Sequence, residues 1–354
     1  DFGSNASSEL VGIYTTSSTQ LSLMARAVMY VTVSAILAIK VRCEETNAIP
    51  FSKATHHEDE SFAVSGNKAV FIQHAITMST PNPVPNAESG PLLLEGASWI
   101  DRNWMIISTL VAPCLISFLF FHYKGSLQDK LDNHDFIGFL VAAAYMIHQT
   151  EEHWYDLRGW RHAFVPDFNH GVGAFLFADV CDDISHLTCP CNTSMAFWVN
   201  ATVVWWGFPA TVLASWSLPR NGFLACYLNW GFAMVNGLGG HIFPLIVFSI
   251  LEGRFAYNPG VAQSCVMVPL GAFLILRRFH PKFLLACIVN GILGHIVFAA
   301  IGANVIIRFG LPDFMHFFFC MICSSVQPLL FAQGVDRLGL GKMHSECHSG
   351  YNRV

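Results

Sequence analysis

One short stretch of the chain places an imidazole beside two carboxylates at helical spacing. It reads His148-Gln149-Thr150-Glu151-Glu152-His153 and follows an apolar run that extends from 136 to 147. Because residues three and four apart lie on one face of an α-helix, we expect His148, Glu151 and Glu152 to project together. One imidazole with two carboxylates suits zinc, iron or manganese. A carboxylate in such a group can also act as a general acid or base, and Glu151 and Glu152 are the candidate catalytic residues.

The segment 136–153 is interpreted as a membrane-spanning helix with this group near its end. Ionisable side chains inside a span are costly, about 2.5–3.5 kcal/mol for a charge at the helix centre on insertion scales. Their presence therefore indicates a functional site.

A seven-residue motif occurs twice further along the chain. Asn236-Gly237-Leu238-Gly239-Gly240-His241-Ile242 recurs as Asn290-Gly291-Ile292-Leu293-Gly294-His295-Ile296, with five identical positions of seven. Its glycines are typical of closely packed helices, but packing does not require the histidines. We expect His241 and His295 to join His148, Glu151 and Glu152 as metal ligands, with Asn236 and Asn290 orienting a ligand or binding substrate. For each histidine taken alone, a hydrogen-bonded structural role is the alternative, and it is the reading adopted for His170 and His316.

The composition predicts an integral membrane protein. The chain is 53% hydrophobic and only 12% charged, with 30 Phe and 9 Trp, whereas soluble domains carry about 25% charged residues. Its formal charge of −5 gives no indication of nucleic-acid binding. Since backbone groups in lipid must pair internally, the fold class is all-α, a multi-pass helix bundle. Seven spans are predicted, at about 104–121, 136–153, 195–216, 223–251, 261–276, 283–307 and 314–333.

Charge predicts how these spans are oriented. The segments assigned to the inner side carry nine Lys and Arg residues, against four in the opposite segments between spans. The positive-inside rule then places the C-terminus in the cytosol and the segment before 104 outside. Residues 104–333 form the transmembrane domain in this interpretation, and 334–354 form a cytosolic tail.

The first hundred residues are interpreted as processing and tether sequence. Residues 1–43 are read as a leader and signal peptide with Met24 as a possible true start, because the apolar run 27–39 is short for a span. A signal anchor and a plastid-targeting prefix are the alternatives, so the membrane is that of the secretory pathway or of a plastid. Residues 44–103 are polar, and they are read as a flexible extracytosolic segment in which His56 and His57 form only a weak metal candidate.

The loop 154–194, predicted to lie outside, contains Cys181, Cys189 and Cys191. An oxidising compartment permits a disulfide from Cys181 to Cys189 or to Cys191, and a Cys/His zinc site is the alternative. The loop ends in the glycosylation sequon Asn192-Thr193-Ser194.

His148-x-x-Glu151-Glu152, followed by Asn236 to His241 and then Tyr257-Asn258-Pro259-Gly260 with Pro269 beyond it, resembles the HXXEE family of multi-pass membrane proteins. The resemblance covers about 104–310 and supports the membrane fold and the site, but no reaction. It marks Tyr257 as a further candidate for substrate binding. Pro259 and Gly260 are expected to end one helix and start the next.

Three functions are compatible with these residues. The first is a metal-dependent enzyme, a hydrolase, isomerase or oxidoreductase, acting on a lipid-like or isoprenoid-like small molecule that enters from the membrane lipids. The second is a proton- or cation-coupled transporter with the site at a helix break. The third is a non-catalytic subunit that binds haem or pigment, which the adjacent carboxylates disfavour.

Overall fold

The computed structural model describes residues 94, 96–173, 176–177, 179–181 and 188–343, all within the compact unit Ile72–Val354. Most of these residues are helical, and they contain no β-strand, only one isolated antiparallel bridge between Phe279 and Met343. The predicted all-α class is therefore confirmed. The leader, the tether up to residue 93 and most of the C-terminal tail lie outside the described residues. The α-helices are α1 Trp99–His122, α2 Leu127–Asp132, α3 His134–Gln149, α4 Phe164–Phe168, α5 Thr193–Ala201, α6 Phe208–Ser217, α7 Pro219–Val235, α8 Phe243–Glu252, α9 Val261–Leu276, α10 Pro281–His295, α11 Asn304–Arg308, α12 His316–Met321 and α13 Gln327–Arg337.

Five helical segments of the described chain are long and apolar enough to cross a membrane. They are Trp99–His122, Thr193–Ser217, Pro219–Leu251, Pro281–Arg308 and Asp313–Arg337. The two remaining predicted spans differ. Helix α9 has only 16 residues, and α3 with its extension carries Asp135, Glu151 and Glu152, which lower its hydropathy.

Helix α1 begins earlier than the sequence predicted. Ser98 caps it, because its hydroxyl accepts a hydrogen bond from the Asp101 backbone N–H and the Asp101 carboxylate accepts one from the Ser98 backbone N–H. This reciprocal pair satisfies two N–H groups that a helix start leaves without partners. Residues 99–103 therefore belong to the helix and not to the flexible segment.

Helix α7 lies at the centre of the bundle. Twelve of its 17 residues are buried, and α3, α6, α9, α10 and α13 all pack against it. Its contact with α10 is close because both helices present glycine. A Cβ at Gly231 would lie 2.0 Å from the backbone oxygen of Cys287, and one at Gly291 would lie 2.5 Å from that of Gly231. The glycine of the second motif copy thus has the packing role expected of small residues.

Most of the long helices contain a π-helical segment. These segments are Thr150–Trp154 after α3, Thr202–Gly207 between α5 and α6, Asn236–Ile242 between α7 and α8, Ile296–Ala303 between α10 and α11, and Ile322–Val326 between α12 and α13. A π-segment is the wider helix form that recurs at functional sites. Two of them, Thr150–Trp154 and Asn236–Ile242, carry Glu152 and His241.

The cysteine-containing loop is closed by a disulfide between Cys181 and Cys189, one of the two pairings expected, while Cys191 is a buried free thiol. Asn192 of the sequon caps α5, since its side-chain oxygen accepts from the Met195 backbone N–H. Its side-chain nitrogen donates to Asp313 at 3.1 Å. The nitrogen that a glycan would modify therefore already donates a hydrogen bond.

Candidate metal centre

Two histidines from different helices converge on one carboxylate oxygen. The Nε2 atom of His241 lies 2.9 Å from Oε1 of Glu152, and that of His148 lies 3.3 Å from the same oxygen. Both imidazoles are fully buried and the Glu152 side chain is only 4% exposed. Their rings meet edge to face with centroids 4.7 Å apart. The three residues therefore form a single buried group.

The local helix geometry places these side chains. His148 and Glu152 are four residues apart across the junction of α3 with the segment Thr150–Trp154, so they share a face. His241 projects from the segment Asn236–Ile242 at the end of α7.

Gly260 closes one side of the group. It has a φ of +91°, and a Cβ there would lie 2.8 Å from Glu152 Cγ, 2.8 Å from His241 Cε1 and 2.9 Å from His148 Cε1. Only glycine provides both this backbone conformation and this close approach.

The hydrogen bonds around His241 indicate which ring nitrogen carries its proton. Nδ1 lies 2.8 Å from the side-chain oxygen of Asn258, and with the amide assigned in this orientation Nδ1 must donate. Nε2 then presents a lone pair to Glu152 Oε1 at 2.9 Å. Two acceptors at that distance repel each other unless a positive centre lies between them. The arrangement calls for a metal ion or a shared proton.

The spacing of the donor atoms fits a metal ion. One ligand atom each from His148, Glu152 and His241 all lie within 4.8 Å of one another. Donors about 2.1 Å from a common ion, with angles of about 90–110° between them, are about 3.0–3.4 Å apart, close to the 2.9 and 3.3 Å observed. Two histidines and one carboxylate, with further positions left for water or substrate, form a donor set used by catalytic zinc and by non-haem iron.

Two asparagines contact the histidines of this group, at different ring nitrogens. Asn258 orients His241 as described, and the Asn236 amide nitrogen lies 3.1 Å from His148 Nε2 and 3.5 Å from His241 Nε2. Asn236, predicted to orient a ligand, thus lies against both imidazoles. Asn258 contacts the ring nitrogen of His241 that points away from Glu152, as outer partners of metal ligands do. Asn236 instead contacts the Nε2 atoms that face Glu152, so its amide would have to give up these lone pairs to a bound ion.

Glu151 does not join this group, and the expected ligand set is corrected at this position. Its Oε1 accepts hydrogen bonds from the Tyr257 hydroxyl at 2.7 Å and from the Ala262 backbone N–H at 3.1 Å, and its Oε2 accepts one from the Gln263 backbone N–H at 2.8 Å. The carboxylate is turned toward the first turn of α9. Tyr257, a candidate for substrate binding, is one of its partners, and burial raises the pKa of Tyr257, which keeps the phenol a donor.

His295 and Asn290 also lie outside the group. His295 stacks on Phe232 with centroids 4.4 Å apart, and its Nδ1 lies 2.8 Å from the Gly291 backbone oxygen. The Asn290 amide donates to the Leu228 carbonyl, and its side-chain oxygen accepts from Gln327. The second motif copy therefore makes structural contacts: Asn290 is hydrogen-bonded to α7 and α13, and His295 is bonded through Nδ1, while its Nε2 is buried without a hydrogen-bond partner.

His153 and Asn200 are neighbours of the site that the sequence interpretation did not single out. His153 Nε2 lies 3.6 Å from Oε2 of Glu152 and 3.1 Å from the Asn200 amide nitrogen. The Asn200 side-chain oxygen accepts from Gln149 at 3.2 Å. The position of His153, directly after Glu152 on one helical turn, was the available signal.

A charged and aromatic cap lies beside the turn that carries Tyr257. Arg158 donates to Asp156 at 2.6 Å and to Asp167 at 2.9 Å. Its guanidinium lies 4.0 Å from the ring centroid of Trp160 and 4.9 Å from that of Tyr257. Asp156, Arg158 and Asp167 thus form an ion-pair cluster, and this cluster contacts the Tyr257 turn.

Residues 139–274 match the family model described as "Protein of unknown function with HXXEE motif". The match spans His148, Glu152, His241 and Gly260, and it confirms the resemblance for that part of the chain. No curated protein and no solved structure matches the sequence.

Proposed function

We propose that this protein is a metal-dependent enzyme of the membrane that acts on a lipid-like or isoprenoid-like substrate. The observation that carries the proposal is the convergence of His148 and His241 on Glu152 inside a helix bundle with five segments able to cross a membrane. A buried group of three facing electron-pair donors is unstable unless a cation or a proton joins them.

The assignment of roles follows from what each side chain already contacts. His148, His241 and Oε1 of Glu152 would hold a divalent ion, which would supply Lewis-acid or redox chemistry when bound. Oε2 of Glu152 faces His153 and not the other two histidines, so it is the proposed proton acceptor from substrate. Glu151 is engaged by three donors and is left out of this role.

The surroundings of the site support an apolar substrate. Tyr145 lies 5.3 Å from the ring of His148, Phe164 lies 6.1 Å from that of His241, and Trp104 lies 5.1 Å from that of His153, measured between centroids. Aromatic rings thus border the donors, and such rings would favour hydrocarbon or unsaturated groups of a substrate.

Metal analysis of the detergent-purified protein tests the proposal. We expect about one zinc, iron or manganese ion per chain in the wild type and loss of that ion in His148→Ala and in Glu152→Ala. His316→Ala is the matched control, because this buried histidine contacts the Asp313 backbone oxygen and lies outside the donor group. Wild-type protein that contains no stoichiometric transition metal, after reconstitution with each of the three ions, would contradict the proposal.

A proton- or cation-coupled transporter is the second candidate, and one observation favours it. Polar side chains follow one another from Gln149 through Asn200, His153, Glu152 and His241 to Asn258, with successive contacts of 3.2, 3.1, 3.6, 2.9 and 2.8 Å. Chains of Asp, Glu and His side chains serve as proton relays, and the titratable members here are His153, Glu152 and His241. Proton flux in proteoliposomes that is lost in Glu152→Gln, together with absence of bound metal, would favour transport over the enzyme.

A further inference from the structure

We infer that Glu151 is a positioning residue that fastens the turn Tyr257–Gly260 onto the metal centre, so that the two adjacent glutamates have separate tasks. Glu152 supplies a donor atom, and Glu151 holds the structure that orients the other donors. The inference rests on the proposed metal centre and adds a role for a residue outside it.

Glu151 acts as an N-terminal cap for helix α9, although it belongs to a different helical segment of the chain. The first N–H groups of a helix have no partner within it, and the helix dipole favours a negative charge there. Helix α9 begins at Val261, and its Ala262 and Gln263 N–H groups donate to the two oxygens of Glu151 at 3.1 and 2.8 Å. Glu151 therefore links the segment Thr150–Trp154, which continues α3, to the start of α9.

Tyr257 supplies the second fastening point on the same turn. Its hydroxyl donates to Glu151 Oε1 at 2.7 Å and accepts from the Leu157 backbone N–H at 3.2 Å. The turn is thus held at two points. One is Glu151 in the segment Thr150–Trp154, and the other is Leu157 in the loop that follows this segment.

The residues between these two fastening points contact the donors directly. The Asn258 side-chain oxygen accepts a hydrogen bond from His241 Nδ1 at 2.8 Å, and the position of Gly260 leaves no space for a Cβ against His148, Glu152 and His241. If the turn moves, His241 loses the hydrogen bond that selects its tautomer. The donor group also loses its packing against the backbone of Gly260. Glu151 therefore acts on metal binding through Asn258 and Gly260.

A test on the full-length protein in detergent compares Glu151→Gln and Tyr257→Phe with the wild type. Two matched controls remove the same chemical groups elsewhere. They are Asp179→Asn, whose exposed carboxylate pairs with Arg308, and Tyr155→Phe, an exposed tyrosine. The readouts are Zn²⁺ affinity by competition with a chelating dye, the visible spectrum of the Co²⁺-loaded protein, which reports ligand geometry, and hydrogen exchange of the Ala262 and Gln263 amides.

We expect Glu151→Gln to keep a stoichiometry of one Zn²⁺ with about 10- to 100-fold weaker affinity, the range observed when outer partners of metal ligands are removed. Tyr257→Phe should shift the affinity in the same direction by less. Both should alter the Co²⁺ spectrum and speed exchange of the two amides, while the controls stay within about twofold of the wild type.

Two results would overturn the inference. One is a Glu151→Gln affinity and Co²⁺ spectrum equal to those of the wild type. The other is complete loss of the ion in Glu151→Gln with an unchanged Tyr257→Phe, which would make Glu151 a ligand. If the wild-type protein binds no metal, that result would instead contradict the proposed function. The exchange rates of the Ala262 and Gln263 amides would then decide whether Glu151 fastens the turn. Because Tyr257→Phe removes a single hydroxyl, it preserves the test if Glu151→Gln does not fold.

Discussion

The Nε2 atom of His241 lies 2.9 Å from Oε1 of Glu152, while Nδ1 of the same ring lies 2.8 Å from the side-chain oxygen of Asn258. One ring thus faces an acceptor on each side, although a neutral imidazole carries only one proton. The Asn258 contact assigns that proton to Nδ1, which leaves the Nε2 lone pair for a cation shared with Glu152.

The first prediction concerns Asn258. Asn258→Ala removes the acceptor at Nδ1, and we expect about 10-fold or greater loss of Zn²⁺ affinity because the tautomer is no longer selected. Asn258→Asp keeps an acceptor oxygen at the same position and should retain or raise the affinity. Competition titration with a chelating dye measures both. Equal affinity in Asn258→Ala and Asn258→Asp would show that the Nδ1 contact does not select the tautomer.

The second prediction separates backbone strain from contact with the site at Gly260. Gly260 and Gly253 both have positive φ, +91° and +63°, but a Cβ at Gly253 would meet nothing within 4 Å. We expect both alanine variants to lose about 1 kcal/mol of unfolding free energy from the left-handed conformation. Only Gly260→Ala should also lose the rise in thermal midpoint that Zn²⁺ gives the wild type. A Zn²⁺-induced rise that persists in Gly260→Ala would place the ion elsewhere.

The third prediction is that His295 contributes to stability and not to metal binding. It stacks on Phe232 and contacts the Gly291 carbonyl, so His295→Ala should lower the free energy of unfolding by about 1–3 kcal/mol. Its metal content should equal that of the wild type, in contrast to His241→Ala. Thermal unfolding and metal analysis of the two variants check this. Loss of the ion in His295→Ala would contradict this prediction and would show that His295 is a metal ligand.

The fourth prediction is a pH dependence set by His162, which lies in the loop after the segment Thr150–Trp154. Burial, and to a lesser extent the neighbouring His153 and Arg161, lowers the pKa of His162 from 6.5 to about 3. The folded state therefore holds His162 neutral, while the unfolded state takes up a proton below about pH 6.5. The contribution of neutral His162 to the free energy of unfolding is therefore fully present above about pH 6.5 and is lost as the pH falls toward 3. Between pH 7.5 and pH 5 the loss is about 2 kcal/mol.

The matched variant is His162→Asn, because asparagine tolerates the positive φ of 55° at this position and does not titrate. The difference in thermal midpoint between pH 7.5 and pH 5 should be smaller in the variant than in the wild type. The same pH dependence in both proteins would show that His162 is not responsible.

The sequence predicted one half of the site well. His148 and Glu152 are four residues apart, so their shared face follows from helical periodicity alone. The same rule could not choose between Glu151 and Glu152. Three residues rotate a side chain by about 300° and four by about 400°, so the two carboxylates lie on opposite sides of the His148 direction, about 100° apart. Which of them faces the neighbouring histidine depends on how α3 packs, and periodicity carries no information about that.

The repeated motif misled the prediction for a related reason. His241 and His295 occupy the same position in the two motif copies, yet His241 faces Glu152 and His295 faces Phe232 of the central helix α7. Tertiary contacts of the helices decide this, and a repeat in sequence does not encode them. Asn258 lies within the sequence Tyr257-Asn258-Pro259-Gly260 that the resemblance marked, but its bond to His241 depends on the fold of that turn.

An X-ray absorption spectrum at the edge of the bound metal tests the shared centre most directly. For zinc, we predict nitrogen and oxygen donors at about 2.0–2.2 Å with two imidazole rings in the wild type and in His295→Ala, and one ring in His241→Ala. A spectrum dominated by sulfur donors, or one whose imidazole count does not change when His241 is removed, would contradict the assignment of His148, Glu152 and His241 to one ion.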